Sequence, residues 1–247
     1  MFNNDTNFLD QHFLIDNDII NLFYNTIDVK KNDTILEVGP GKGVITKLIK
    51  DECKKLIVVE KDKRLKEYLD MLNINVIYDD ILKIDIPSVN KIVTSLPYSI
   101  TEPFIYKLID VDFDKLIMIC GKNFVDNVFE NKTKLAILVN SYFNIEKITD
   151  ITPDSFDPKP KAMSSLIVLT NKNNLTKEET IIKMLFKYRY MKVKNALKEI
   201  LIKLDNITQN EARKIINNYK IDETILNKLF DELSNKEVLS LINCIRD

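Results

Sequence analysis

The chain has 247 residues, with 36 Lys and Arg against 37 Asp and Glu, and a formal net charge of −1. Hydrophobic residues make up 45% of the chain, which is enough to bury a core and excludes an intrinsically disordered protein. No stretch approaches the ~20 consecutive apolar residues of a membrane span, and Met1–Asp10 lacks the basic flank of a signal peptide. We therefore expect a cytoplasmic protein.

Histidine and cysteine usage limits the catalytic chemistry. His12 is the only histidine, and Cys53, Cys120 and Cys244 are far apart with no CxxC pair. These residues exclude histidine-rich metal centres and argue against a cysteine zinc site or a disulfide framework. We expect no metal in the mechanism.

The first two thirds of the chain alternate predicted helices and predicted strands. Asp16–Ile27 carries apolar residues at helical spacing, with Asp16 in the position of an N-cap. Five short β-branched runs then predict strands at residues 34–38, 56–59, 75–78, 91–94 and 115–119, and helical patterns lie at 44–50, 62–72 and 101–109. This alternation predicts a largely parallel sheet covered by helices on both faces.

The pattern changes near residue 144. Two alternating segments, residues 145–151 and 164–169, flank the proline-bearing segment 152–161 and predict an antiparallel hairpin that closes one edge of the sheet. After residue 174, apolar residues recur at helical spacing to the end of the chain. The sequence thus predicts an α/β domain at residues 1–171 and a small helical domain at 172–247.

The two predicted domains differ in charge. Residues 172–247 carry a net +4 and residues 1–171 a net −5. Seven cations of the helical domain, opposed only by Glu199 over one predicted helical stretch, are Lys183, Lys187, Arg189, Lys192, Lys194, Lys198 and Lys203. Such a run is typical of a surface that binds phosphates, although a solvated helix face gives the same pattern.

Glycine is rare in this chain and concentrated in one loop. Three of the four glycines are Gly39, Gly41 and Gly43, in a segment that follows a predicted strand and leads into a predicted helix. A dinucleotide fingerprint places its glycines at the first, third and sixth positions, whereas here they occupy the first, third and fifth. The loop therefore favours a nucleotide-type cofactor other than NAD.

Carboxylates stand at the ends of the strands beside this loop. Glu60 ends the strand that follows the loop and can accept hydrogen bonds from both hydroxyls of a ribose. Asp79 and Asp80 end the next strand, where a side chain can meet the adenine amine. Glu37 adds negative charge that repels a pyrophosphate and tolerates a cationic sulfonium. Together these residues indicate a cationic adenosyl cofactor.

A second candidate loop, Thr94–Tyr98, follows the fourth predicted strand. The Ser95 hydroxyl and the Leu96 carbonyl can accept the two hydrogens of an exocyclic amine, while Pro97 turns the chain at the sheet edge. Tyr98 can stack on a base. Taken alone, the segment also fits an ordinary proline turn with a packed tyrosine.

In combination, these motifs resemble the KsgA family of adenosine dimethyltransferases, which modify small-subunit ribosomal RNA, and the related erythromycin-resistance methyltransferases. The resemblance spans nearly the whole chain and is anchored at Gln11–Asp16, Glu37–Gly43, Glu60, Asp80, Ser95–Tyr98 and Ser155–Lys161. It implies a class I S-adenosylmethionine-dependent methyltransferase fold, which is Rossmann-like with a mostly parallel sheet and an antiparallel edge hairpin, followed by a small C-terminal helical domain.

The resemblance also implies roles for individual residues. The S-adenosylmethionine contacts would be His12, Leu14, Gly39, Gly41, Glu60, Asp80 and Ser95. The catalytic residues would be Ser95, Leu96, Pro97, Tyr98 and Phe156, with the two aromatic rings holding a flipped adenine, and RNA would contact Lys187, Arg189, Lys192 and Lys194. From the residues alone, Phe156 fits a hairpin core residue and His12 a hydrogen-bonded turn histidine equally well.

This sequence departs from the family pattern in three places. Ser95 stands where the family has asparagine, Asn7–Asp10 lacks the usual Lys and Arg, and Gly121–Lys134 differs from the family's elements. The function implied is dimethylation of adjacent adenosines in a hairpin loop near the 3′ end of small-subunit rRNA, by a monomer acting on a small ribosomal subunit precursor during its biogenesis. Two alternatives stay open: a methyltransferase for large-subunit adenosines, and a non-catalytic assembly or transcription factor on the same fold.

Overall fold

A computed structural model describes residues 11–246, so the expectations about Met1–Asp10 lie outside the described residues. The chain forms two compact units. The first contains the residues up to Asp126 and Phe143–Asn171, and the second contains Asn127–Tyr142 and the residues from Lys172 onward. The change of unit at residue 171 coincides with the boundary expected from the sequence. Segment 127–142 differs, because it groups with the helical unit although the sequence-based boundary places it in the first domain.

The first unit is built on a seven-stranded sheet with the order β4-β3-β2-β5-β6-β9-β7. The strands from β2 to β6 are parallel neighbours, and β9 pairs antiparallel with both β6 and the edge strand β7. Two short strands, β1 and β8, form a separate antiparallel pair. The strands are β1 (Phe13–Leu14), β2 (Thr34–Val38), β3 (Lys55–Glu60), β4 (Val76–Tyr78), β5 (Lys91–Ser95), β6 (Lys115–Gly121), β7 (Phe143–Ile151), β8 (Phe156–Asp157) and β9 (Ser164–Asn171). The predicted parallel sheet with an antiparallel edge hairpin is confirmed.

Five helices are associated with these strands: α1 (Asn17–Ile27), α2 (Val44–Ile49), α3 (Lys66–Asp70), α4 (Tyr98–Leu108) and α5 (Lys122–Phe129), the last of which continues into the second unit. Asp16 caps α1 as expected, because its carboxylate accepts from the amides of Asp18 and Ile19. The predicted helix at 62–72 is a 3-10 turn followed by the short α3. Helix α4 begins three residues earlier than predicted, which places Tyr98 in its first turn.

Both faces of the sheet are covered, as near-continuous apolar strands require. The side chains of Ile35 and Leu36 point to opposite faces, and both are fully buried. On the face of Ile35, α1 and α2 contribute Phe23, Ile27 and Ile49 to a single apolar cluster. Burial of each such side chain contributes roughly 1.5–3 kcal/mol to folding.

The order of the strands determines where a ligand can bind. From β2 the chain continues to β3 and β4 on one side, whereas β5 and β6 lie on the other side. In an open α/β sheet, ligands bind outside the carboxyl ends of the strands at the point where the order reverses. Here those ends carry Gly39, directly after β2, and Ser95, the last residue of β5.

The second unit is helical, as predicted, and consists of α6 (Lys134–Tyr142), α7 (Lys177–Lys187), α8 (Val193–Asp205), α9 (Gln209–Asn218), α10 (Glu223–Asn227) and α11 (Asn235–Arg246), together with the end of α5. Helix α7 packs against α6, α8 and α11. The Phe186 and Phe230 rings meet edge to face, with centroids 5.0 Å apart. Segment 127–142 belongs here because α6 packs on α7 and the Tyr142 hydroxyl donates to the Lys183 carbonyl at 2.8 Å.

The structure corrects one prediction in this unit. The basic residues 183–203 do not lie on one continuous helix, because α7 ends at Lys187 and α8 begins only at Val193. Among the helices of residues 11–246, none combines the length and apolar character needed to cross a bilayer. The same residues contain no cluster of three or more His, Cys, Asp or Glu side chains suited to a metal ion.

Candidate active site

The loop after β2 is shaped by its glycines. Gly41 and Gly43 have φ values of +59° and +78°, which residues with a side chain rarely adopt. A Cβ on Gly43 would lie 2.5 Å from the Leu72 Cδ1 atom, and one on Gly41 would lie 3.1 Å from the Phe13 ring. The close packing of Leu72 and Phe13 against the loop therefore depends on these glycines. The backbone of the loop borders a crevice at the carboxyl ends of the strands.

Glu60 is buried at the end of β3 and is tied to this loop. Its Oε1 accepts from the Asp62 amide at 2.7 Å, and its Oε2 accepts from the Gly41 amide at 3.4 Å. Burial raises the pKa of Glu60, while these two amides oppose that rise. The carboxylate is thus held in a fixed position, with lone pairs left to accept hydroxyl hydrogens.

Asp80 follows β4 and stays ionised at neutral pH. Burial alone would raise its pKa, but the Leu82 amide and the Lys61 ammonium outweigh that effect and lower the pKa below its ordinary value. The Leu82 nitrogen lies 3.0 Å from Oδ1, and the Lys61 Nζ lies 3.0 Å from Oδ2. Asp79 is exposed and accepts from the Asp80 amide at 2.7 Å.

Glu37 is the most enclosed carboxyl group at the site. It is only 3% exposed, and its Oε2 has no hydrogen-bond partner among residues 11–246. Burial raises its pKa to about 7. Since Glu37 also borders the crevice, a cationic ligand would supply the charge partner that this carboxyl lacks. The residues present therefore fit a positively charged adenosyl cofactor.

The N-terminal motif and the segment Ser155–Lys161 meet beside this crevice. Leu14 of β1 pairs with Phe156 of β8, and the Ile15 amide donates to the Ser155 carbonyl at 2.9 Å. The His12 Nδ1 lies 2.7 Å from the Pro158 carbonyl oxygen. Two motifs about 140 residues apart in sequence thus form one wall, and Phe156 belongs both to the apolar core and to the lining of the crevice.

The loop after β5 also lines the crevice. The Thr94 hydroxyl donates to the Val38 carbonyl at 2.8 Å, which ties this strand end to β2. Leu96 is buried, and Tyr98 is half-buried. The Tyr98 hydroxyl lies 2.6 Å from the Ser164 hydroxyl.

A single cavity of about 390 Å³ joins these features within the first unit. Its lining includes every residue that the sequence and the resemblance assigned to cofactor or catalysis, namely His12, Leu14, Gly39, Gly41, Glu60, Asp80, Ser95, Leu96, Pro97, Tyr98 and Phe156. Sequence reasoning missed Ser164, which also lines the cavity, because only the pairing of β9 with β6 brings it there.

The four predicted RNA contacts lie in the second unit. Lys187 ends α7, Arg189 lies in the following turn, and Lys192 and Lys194 lie at the start of α8. Backbone hydrogen bonds hold this turn, since the Asp231 amide donates to the Arg189 carbonyl at 2.9 Å and the Val193 amide donates to the Lys228 carbonyl at 2.9 Å. Lys187, Lys192 and Lys194 are exposed.

Comparison with known proteins agrees with this architecture. The family model for ribosomal RNA adenine dimethylases matches residues 2–247. The chain belongs to this family. As a ribosomal RNA adenine dimethylase family member it is an S-adenosylmethionine-dependent methyltransferase.

Two relatives illustrate the extent of the match. The probable ribosomal RNA small subunit methyltransferase A of Methanococcus aeolicus is 30% identical over 256 aligned residues, covering 95% of this chain and 94% of the relative. The protein of the same name from Pyrococcus furiosus is 34% identical over 201 residues, covering 76% of this chain and 74% of the relative.

Two solved structures share the fold. A dimethyladenosine transferase from Plasmodium falciparum superposes with a TM-score of 0.65 at 22% identity, covering 93% of this chain and 96% of that one. The 23S rRNA methyltransferase ErmE superposes with a TM-score of 0.62 at 19% identity, covering 95% and 100%. The predicted class I methyltransferase fold with a C-terminal helical part is therefore confirmed.

The geometry of Glu60 leads to a prediction about cofactor affinity. We expect Glu60→Gln to weaken S-adenosylmethionine binding by about 10- to 100-fold, because hydrogen bonds to a charged acceptor contribute roughly 1.5–3 kcal/mol. Isothermal titration calorimetry measures this loss. Glu67→Gln is the matched control, since Glu67 is exposed on α3. Equal affinity in the Glu60 and Glu67 variants would contradict the assignment.

The enclosed carboxyl of Glu37 predicts a pH dependence. Its pKa of about 7 means that Glu37 is largely protonated below neutrality, whereas a cationic cofactor favours the ionised form. Affinity for S-adenosylmethionine should therefore fall as the pH drops from 8 to 6, by at most about tenfold per pH unit. Calorimetric titrations across this range test the slope. Glu37→Gln should flatten it, and a pH-independent affinity in the wild type would rule the prediction out.

Proposed function

We propose that this chain transfers methyl groups from S-adenosylmethionine to the N6 amines of two adjacent adenosines in a hairpin loop near the 3′ end of small-subunit rRNA, forming dimethyladenosines. The observation that carries the proposal is the cavity in which an adenosyl-type site borders both Ser95–Tyr98 and Phe156. The names of the relatives from M. aeolicus and P. furiosus support the small-subunit target.

The bound cofactor supplies an electrophilic methyl group on a sulfonium. Glu60 and Asp80 are proposed to hold its ribose and adenine ends, since backbone amides fix both carboxylates at the cavity and each carboxylate oxygen has a second lone pair. The Glu37 carboxylate is proposed to balance the positive charge of the cofactor. The backbone from Gly39 to Gly41 lets the cofactor approach the loop closely. His12 and Leu14, in the β1 wall, close the site on the remaining side.

On the substrate side, Ser95 and Leu96 are proposed to orient the reacting amine. The Ser95 hydroxyl and the Leu96 carbonyl accept its two hydrogens and direct the nitrogen lone pair toward the methyl group. Pro97 fixes the turn, and Tyr98 and Phe156 hold the flipped adenine by its faces. As the N–CH₃ bond forms, the S–CH₃ bond breaks, and the displaced proton passes to water. Most of the rate then comes from positioning, not from acid–base chemistry.

Serine in place of asparagine at position 95 is compatible with this scheme. A serine hydroxyl has two acceptor lone pairs, so it can receive one amine hydrogen as an amide oxygen does. The strand pairing of Ser95 with Ile119 on β6 keeps its backbone at the cavity edge. We therefore expect the chain to be active with serine at position 95. A methyl-transfer assay of the unaltered chain tests this expectation.

We further propose that the helical unit binds RNA through the turn between α7 and α8, which we call the basic turn. This unit consists of residues 172–247 together with segment 127–142. Lys187, Arg189, Lys192 and Lys194 provide four cations over eight residues, and backbone hydrogen bonds hold the turn that carries them. The exposed Tyr190 carries the Arg189 guanidinium over its ring, 4.8 Å from the centroid, and this pairing of an aromatic ring with a cation suits an unpaired base. We infer that the protein works as a monomer in the cytoplasm, on a small-subunit precursor during its biogenesis.

The RNA proposal predicts a salt-dependent effect. We expect Arg189→Ala/Lys192→Ala to weaken binding to small-subunit rRNA and to reduce the slope of log affinity against log salt by about 1 per residue removed. Filter binding at several salt concentrations measures both. The control Arg213→Ala/Lys214→Ala removes the same charges from exposed positions of α9 in the same unit. Identical slopes in the two double variants would contradict the assignment.

The decisive assay for the proposed function uses small ribosomal subunits that lack the adenosine modification. We expect radiolabelled methyl from S-adenosylmethionine to appear on these subunits, with reverse transcription stopping at two adjacent adenosines near the 3′ end of the rRNA. Label on large-subunit adenosines alone would favour the large-subunit alternative. No label, with cofactor and subunit still bound, would favour a non-catalytic assembly factor.

A further inference from the structure

The ring of Tyr98 is held at both ends by a single cross-strand pair of residues. Its hydroxyl lies 2.6 Å from the Ser164 Oγ and 3.4 Å from the Ala162 carbonyl oxygen. Ser164 is buried, with 1% of its surface exposed. The hydroxyl of a partly buried tyrosine usually has a hydrogen-bond partner, and here the partner comes from the first residue of β9.

The other end of the ring rests on Gly121, the last residue of β6. A Cβ at position 121 would lie 3.3 Å from the Tyr98 Cγ and 3.4–3.5 Å from the two Cδ atoms. Gly121 and Ser164 are directly paired in the β6–β9 ladder. One residue pair therefore contacts the ring both at its Cγ end and at its hydroxyl.

We propose that Ser164 is a positioning residue for methyl transfer. Gly121, which has no side chain, lets the Tyr98 ring pack directly on the backbone of β6 and so helps to orient the ring. Tyr98 lies in the first turn of α4, but these two contacts reach its ring from β6 and β9. Since an adenine stacks on the face of that ring, the tilt of the ring directs the adenine amine toward or away from the methyl group. This inference rests on the proposed function, in which Tyr98 contacts the substrate and Ser164 acts only through Tyr98.

The proposal predicts equal and non-additive effects of removing either hydroxyl. We expect Ser164→Ala and Tyr98→Phe each to lower kcat by about 3- to 10-fold, which is the range for one hydrogen bond between neutral groups, with the affinity for S-adenosylmethionine unchanged. The double variant Tyr98→Phe/Ser164→Ala should be no slower than either single variant, because both remove the same hydrogen bond. Multiplied losses in the double variant would overturn the proposal.

The neighbouring residue offers a matched control. Ser165 is also fully buried on β9, but its side chain points to the other face and donates to Asp150 Oδ1 at 2.7 Å. Ser165→Ala should therefore keep the wild-type kcat even if it lowers the melting temperature. A drop in kcat equal to that of Ser164→Ala would mean a general structural role for buried serines of β9 and would overturn the proposal.

Gly121→Ala tests the contact at the Cγ end of the same ring. Its methyl group would push the ring out by a few tenths of an ångström, and we expect kcat to fall while cofactor affinity stays unchanged. Methyl transfer to unmodified small subunits measures all variants. An inactive wild type would overturn the proposed function and this inference together. An active wild type with full kcat in Ser164→Ala would overturn this inference alone.

Discussion

Replacing Tyr98 with alanine should lower kcat/KM for methyl transfer by about 10- to 100-fold, because stacking of one base on an aromatic ring contributes roughly 1–3 kcal/mol. The residue lines the cavity beside Ser95, and truncation removes the whole face on which the adenine would lie. Methyl transfer to unmodified small ribosomal subunits measures the loss. The effect should exceed that of Tyr98→Phe, which keeps the ring.

The controls for Tyr98→Ala separate catalysis from folding and from cofactor binding. The Tyr98 ring and hydroxyl contact Gly121 and Ser164 on β6 and β9, which β5 separates from β2 and its glycine loop. Calorimetry should therefore give a wild-type affinity for S-adenosylmethionine. Circular dichroism should give a cooperative unfolding transition. A variant that folds, binds cofactor and transfers methyl at the wild-type rate would remove Tyr98 from the substrate site.

Replacing Lys91 with alanine should lower the free energy of unfolding by about 3–5 kcal/mol, which is the typical cost of leaving one charge of a buried ion pair without its partner. The Lys91 Nζ lies 2.7 Å from Asp33 Oδ2 and 2.6 Å from the Asp28 carbonyl oxygen, and the Lys91 and Asp33 side chains are each 7% exposed. Asp33 Oδ1 also accepts from the Asn90 amide at 2.7 Å. Urea denaturation at pH 7 measures the loss.

The pH dependence of this loss has a definite sign. Burial alone would raise the pKa of Asp33, but Lys91, Asn90 and the Lys30 amide outweigh it and hold the pKa below its ordinary value. The stabilisation from this depressed pKa is complete above about pH 4 and disappears as the pH falls through the pKa of the folded state. The difference in stability between wild type and Lys91→Ala should therefore narrow in acid.

An exposed ion pair provides the comparison for Lys91. Lys30 and Asp28 lie 2.6 Å apart with more than half of each side chain exposed, so water and salt screen their attraction. Lys30→Ala should have a much smaller effect than Lys91→Ala. If both variants lose the same stability, burial is not what makes the Lys91–Asp33 pair important.

Much of the first unit could be predicted because its signals are local. Buried parallel strands require continuous β-branched runs, so β2, β3, β5 and β6 were recognisable from a few residues each. The glycine loop was recognisable because residues with φ > 0 and no room for a Cβ leave glycine as the fitting choice. In contrast, the sequence analysis missed α5, which begins directly after Gly121 of β6, and α6, although Thr133 caps α6 by accepting from the Ala136 amide at 3.0 Å.

Some residues of the candidate site could be predicted from local sequence, and others could not. Gly39, Glu60, Asp80 and Ser95 each follow or end a strand, and parallel strands end at one edge of a sheet, so the order of the sequence is enough to predict that they lie together. Phe156 was ambiguous from sequence, and the fold shows why: it is 3% exposed in the core cluster and also borders the cavity. The core interpretation is confirmed, and the role of Phe156 in holding the adenine stays a prediction.

The sequence by itself determined the class of fold, the cofactor loop and the order of the carboxylates, because hydrophobic period, glycine position and strand ends are properties of neighbouring residues. Only the tertiary structure decided the pairing of Leu14 with Phe156, the grouping of segment 127–142 with the helices, and the contact of Tyr98 with Gly121 and Ser164. Each of these joins residues far apart in the chain. Their partners are selected by packing and strand register, which no local pattern records.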